Sequence, residues 1–206
     1  VSNPSDQPAP AKSSQWTRIA YGFGAVCLGI AAFVRFAGVF ATSGTADANN
    51  LKNQAIVSIE ESDKHAEIGL PCVESVFAPA TIAGIPGTRD AIRADAEKGI
   101  AEFKAAADKL RKASELFDEA SKKQIDSHYA EYLTVMSKQL GVLADVKDNL
   151  VQQFQMMLDA ANDDGEKLAA ALEEMDGKVA VLTTQAAGHR EAADKIVADH
   201  PAVFTK

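Results

Sequence analysis

The sequence predicts an all-α chain: a single N-terminal transmembrane helix followed by an elongated antiparallel four-helix bundle. Three observations carry that expectation. A 23-residue run from Ile19 to Ala41 holds one charge, Arg35. The rest is rich in Ala, Glu, Lys, Asp and Leu and poor in Trp and Tyr, a bias toward helix and against sheet. Apolar residues there recur at alternating spacings of three and four, the period of a helix that buries one face.

Residues 1–15 are Pro-, Ser-, Gln- and Ala-rich and read as a disordered cytoplasmic tail. Residues 16–41 read as the anchor, since the apolar run spans about 34 Å as a helix, enough for a bilayer core. Trp16 and Tyr21 sit where an interfacial aromatic belt belongs. Lys12 and Arg18 precede the run and Asp47 is the first charge after it. The positive-inside rule then puts the N-terminus in the cytoplasm and the C-terminal domain outside it, in a periplasm or at a cell surface. Arg35 lies six residues before Ala41, roughly 9 Å along the axis, close enough to snorkel to the outer interface or to meet a partner subunit. Ala20 with Gly24, and Ala25 with Gly29, place small residues four apart, a spacing that lets helices approach closely in lipid. A cleaved signal peptide is the competing reading, with Ile19–Val34 as its apolar core and Ala41, Ala46 or Ala48 at the cleavage site. A buried apolar helix of a soluble protein is a third.

Residues 42–206 form the predicted bundle. A first helix is expected from Ala46 to Gly69, on a thin stripe of Ile56, Ile59, Ala66 and Leu70, ended by Pro71. Residues 71–88 read as an irregular apolar loop punctuated by Pro71, Pro79, Pro86, Gly84 and Gly87. Its side chains Val73, Val76, Phe77, Ile82 and Ile85 either cap the bundle or meet a partner. Thr88 is the expected cap of the next helix. That helix carries an unbroken seam: Ala96, Gly99, Phe103, Ala106, Leu110, Ala113, Phe117 and Ala120. A new stripe starts one step out of phase and runs Ile125, Tyr129, Tyr132, Met136, Leu140, Leu143, Val146, Leu150, Phe154, Met157 and Ala161. The phase break predicts a tight turn at 121–124, where Ser121 and Gln124 have capping-box spacing. The alternative is fewer, longer coiled-coil helices with 89–161 continuous. Asn162–Gly165 is a second turn, with Asp163 and Glu166 as a helix-start signal. The last stripe runs from Leu168 through Leu172, Met175, Val179, Leu182, Ala186, His189, Ala193 and Ile196 to His200, and Pro201 stops it.

Composition limits the chemistry. Net charge is −8, and because Lys12, Arg18 and Arg35 against Asp6 leave residues 1–41 at +2, the remainder carries −10. So acidic a domain repels nucleic acid, which is set aside as a partner. Cys27 lies in the apolar run and Cys72 beyond it, so they are not expected to pair; Cys72 is either a small buried residue or the site of an intermolecular disulfide. No catalytic motif is present, no cofactor is expected and the chain is not read as an enzyme. His128, His189 and His200 are the only candidates for a metal or haem site. They are expected toward the membrane-proximal end, with His65 exposed at the far end. Paired carboxylates such as Glu60-Glu61, Asp163-Asp164 and Glu173-Glu174 read as solvated charges. Ala-rich seams bury little area per residue, so the bundle is expected to be modestly stable and to favour association. The leading expectation is a membrane-anchored structural or interaction protein, an accessory subunit of an envelope or membrane complex. It would contact lipid through residues 19–41 and a protein partner or a second copy. A sensory or ligand-binding module and a His-ligated metal or haem bundle are the alternatives.

Overall fold

A computed structural model describes residues 45–78, 91–123, 125–160 and 165–204. All secondary structure among them is helical: α1 (Ala46–Val76), α2 (Arg93–Ser121), α3 (Ser127–Asp159), α4 (Gly165–Asp199) and a short α5 (Pro201–Phe204). At 1.5 Å per residue the four long helices run about 44–53 Å.

Neighbours pack antiparallel and in chain order. Glu61 of α1 meets Lys109 of α2 at 2.5 Å, His65 meets Glu102 at 2.7 Å and Ser75 donates to Asp95 at 2.6 Å, so α2 descends as α1 rises. On α2 and α3, Arg111 pairs with Asp148 and the Ser114 hydroxyl donates to the Ser137 carbonyl at 2.8 Å. On α3 and α4, His128 stacks on His200 and the Gln153 amide donates to Asp176 at 3.2 Å. The predicted up-down bundle is therefore the observed packing. α1 and α4 form no comparable direct pairing.

The α2 seam matches expectation at every position, from Ala96 to Ala120, and all eight residues are buried. Gly99 is there for a steric reason: a Cβ on it would sit 2.6 Å from the Phe154 ring. Continuous helix through 89–161 is excluded, because α2 ends at Ser121 and α3 begins at Ser127. The cap differs from the capping box read at Ser121 and Gln124. Asp126 caps α3, its carboxylate accepting from the amides of His128 and Tyr129 at 2.8 and 3.2 Å. Ser121 instead donates to the Asp118 carbonyl at the end of α2.

The first helix is longer than predicted. Pro71 lies inside α1, which continues to Val76. Proline removes one ladder donor, but the turn beyond it buries Cys72, Val73 and Val76 in the core, which holds the helix together. The α1 seam is also phased differently. It runs Ala48, Lys52, Ala55, Ile59, Ser62, Ala66, Gly69, Val73 and Val76, leaving Ile56 and Leu70 on its half-buried flank. α4 ends at Asp199, just before the Pro201 expected to stop it. Pro201 then opens α5, which returns Phe204 to the core at 3% exposure, against Tyr129 and Tyr132. Two core clusters result. One gathers Leu110, Phe117, Tyr129, Tyr132, Met136 and Phe204 near the start of α1; the other gathers Val76, Phe103, Phe154, Met157 and Leu172 near its end.

The apolar run expected as an anchor, including Ala20, Gly24, Ala25, Gly29 and Arg35, lies outside the described residues, as do Cys27, Thr88 and residues 161–164. Among the described residues no helix is long and apolar enough to cross a membrane.

Candidate functional site

A polar layer crosses the middle of the bundle. Leu133, Leu140, Lys147 and Phe154 stand seven apart on α3, and this line faces the core, so Lys147 is fully buried with its hydrophobic neighbours. Its ammonium lies 5.6 Å from the centroid of Phe103, a cation–π distance. Asp63 is on the half-buried flank of α1, seven residues from both Ile56 and Leu70. Burial pushes its carboxyl up to about 6; the Lys147 charge opposes that rise, and Glu67 and Glu60 add to it. The register set by Gln153–Asp176 and His128–His200 puts Thr183 at the level of Lys147, where its hydroxyl oxygen is buried without a hydrogen-bond partner. One helical turn or two further along, burial also raises Asp176, against the hydrogen bond from Gln153. With a carboxyl poised near 6, the layer can change charge between about pH 5 and 7. Beside it, Phe77 meets Phe154 edge-on at 5.0 Å and Phe103 stacks on Phe154 at 5.8 Å.

The three candidate histidines do not converge. His128 and His200 stack with ring centroids 3.5 Å apart and planes 12° apart, at the end where α1 begins. A metal ion lies in the plane of each imidazole that binds it, about 2.0–2.1 Å from the nitrogen. Two near-parallel planes at this separation cannot both contain one ion. His189 is eleven residues from His200, roughly 16 Å along α4. Among the described residues no group of three His, Cys, Asp or Glu could hold a metal. His65 is not exposed at a far end, as expected, but half-buried in mid-helix against Glu102.

Of the apolar side chains read as capping the bundle or meeting a partner, three pack into the core at the end of α1. Val73 and Val76 are buried, and Phe77 packs on Phe154, because α1 carries them inward; Ile82 and Ile85 lie outside the described residues. Cys72 is 3% exposed, and burial raises its thiol, so an intermolecular disulfide is not open to it in this fold. Glu61 is not simply solvated: its hydrogen bond and ion pair with Lys109 lower its carboxyl. Glu60, Glu173 and Glu174 are exposed, as expected.

At the opposite end from the phenylalanine cluster, Tyr129 and Tyr132 flank Phe204. Burial pushes the Tyr129 phenol up to about 12 and raises Tyr132 further. On the outside, a groove of about 650 Å³ runs between α3 and α4, bordered by Asp145, Asp148, Glu174, Gly177, Lys178 and Val181. Arg111 neutralises Asp148 and Lys178 pairs with Glu174 at 2.9 Å, so the groove has no strong net field.

The chain matches no family model, no curated protein and no solved structure. Its functional reading therefore rests on its own residues.

Proposed function

We propose that this chain is a membrane-tethered helical bundle that serves as a structural or interaction subunit of a larger envelope or membrane assembly. The observation that carries this reading is the junction at residues 41–46. A 23-residue run with one charge leads, within a few residues, into α1, whose first turn is capped by the Thr45 hydroxyl accepting from the Ala48 amide at 3.3 Å. α1 begins at the bundle end that also carries the α2–α3 connection and α5, and the apolar run would join it there. Lipid would take residues 19–41, the N-terminal tail would stay in the cytoplasm, and the acidic bundle would stand in water on the other side.

The bundle itself suits association. Its seams are Ala-, Gly- and Ser-rich, α4 is packed along one side, and Val57, Ile68 and Val181 are exposed large apolar residues. Membrane fractionation of native cells with alkaline washing tests the tether. The expected result is a chain that keeps residues 19–41, held in the bilayer fraction and released by detergent together with partner subunits or a second copy. A chain that keeps residues 19–41 yet washes free, or a detergent-released chain that is monomeric and alone, overturns the reading.

A further inference from the structure

We propose that α5 is an acid-released clasp: when His128 and His200 both carry a proton, their stack breaks and Phe204 leaves its seat against Tyr129 and Tyr132. His200 is the joint between two helices. Its amide donates to the Ile196 carbonyl in the last turn of α4 at 3.1 Å, and its carbonyl accepts from the Val203 amide of α5 at 3.0 Å. A four-residue helix is too short to stand alone, so α5 keeps its place through this joint and through Phe204. The Phe204 ring is 3% exposed and lies edge-on to Tyr129 and Tyr132, with centroids 5.9 and 5.4 Å away. The seat also carries a cost. The Tyr129 phenol oxygen is buried without a hydrogen-bond partner, and opening the seat lets water reach it.

The trigger is the face-to-face contact of the two imidazoles, 3.5 Å between centroids and 12° from parallel. Two neutral rings, or one neutral and one charged, can keep that contact. Two imidazolium rings repel across it with no room for water between them. The carbonyl end of α4 suits one charge, whereas the amide end of α3 meets the other with the same sign. The groups around the pair do not cancel this repulsion. On α3, Asp126 is engaged in capping through the His128 and Tyr129 amides, and Glu131 is exposed. On α4, Asp199 is exposed, and α5 has no charged side chain. Lys122 and Lys123 at the end of α2 pair with Asp118 and Glu119 at 2.6 and 3.1 Å, and Asp47 in the first turn of α1 is exposed. Exposed charges are screened by water and salt. The clasp lies within α3, α4 and α5, so it can fail without the tethering reading failing.

Histidine changes charge between about pH 5 and 8, a window that overlaps that of Asp63. Hydrogen exchange of the Val203 amide in the full chain, in mild detergent at about pH 7.5 and about pH 5, tests the clasp, read as protection relative to the unstructured rate at each pH. Wild type should lose protection at least about tenfold at the acid pH. His128→Phe keeps a flat ring without a charge, and His128→Gln removes both. In each, protection should differ by no more than about twofold between the two pH values. Phe204→Ala should be unprotected at both. Asp63→Asn should keep the wild-type loss. Equal protection of wild type at both pH values overturns the proposal. So do histidine variants that lose protection as wild type does, or an Asp63→Asn variant that abolishes the loss, which would assign the trigger to the polar layer.

Discussion

The two pairs of central glycines in this bundle are used in opposite ways. Gly99 on α2 lies beneath the Phe154 ring, and Gly69 on α1 lies 3.0 Å (measured from a built Cβ) from the Phe103 ring. These glycines admit aromatic side chains from facing helices, so three helix backbones close around one aromatic cluster. Gly177 and Gly188 on α4 face open space. The contrast separates a seam finished within the bundle from a face that the described residues leave open. It also shows why residue type alone misleads, since the same amino acid marks a completed contact in α1–α2–α3 and an unused one in α4.

The strongest way to break the comparison is at the packed side. Phe154 is fully buried and touches Phe77, Phe103 and the Gly99 backbone. Phe154→Ala should destabilise the fold by about 3–5 kcal/mol, a Tm loss of roughly 10 °C or more by calorimetry. An unchanged Tm would mean that the cluster is not packed as described.

A smaller effect sharpens the account of the polar layer. Burial raises the folded-state carboxyl of Asp63 from 3.8 to about 6, so the folded chain holds this proton more tightly than the unfolded chain. Its stabilising contribution is full below about pH 4 and is lost as pH rises through about 6. Across that window Asp63→Asn should gain on wild type by roughly 2–4 °C in Tm, and a flat difference curve would refute the burial. Lys147→Met keeps the apolar stem and removes the charge. It should change stability by about 1 kcal/mol or less at low pH, where Asp63 is neutral, and move the Asp63 window to higher pH. Stability profiles from pH 3 to 8 read both variants.

Much of this arrangement is legible in the sequence. The α2 seam is visible because its large members, Phe103, Leu110 and Phe117, are separated by alanines at strict heptad spacing. The break between α2 and α3 is visible as a change of phase. The α1 seam is hidden because it is built from Ala48, Ala55, Ser62, Ala66 and Gly69, residues that carry little hydropathy yet pack closely against α2. Pro71 reads as a stop because the core contacts that carry α1 past it come from elements distant in sequence. Lys147 and Asp63 draw no notice in the sequence, although each stands seven residues from apolar neighbours on one line. A charge in an apolar heptad line was the available signal. The stacking of His128 on His200 follows from the α3–α4 register, which spacing within one helix does not set. The return of Phe204 likewise depends on where α4 ends relative to Tyr129 and Tyr132.

The difference between a finished seam and an open face is tested most directly by one paired measurement: the melting of Gly99→Ala and Gly188→Ala, each at a concentration where the chain is monomeric. Gly99→Ala should lower stability by about 1–3 kcal/mol, because the new Cβ drives into the Phe154 ring. Gly188→Ala should raise it by about 0.5–1 kcal/mol, through helix propensity with no clash. Shifts of the same sign in the two variants would contradict the account.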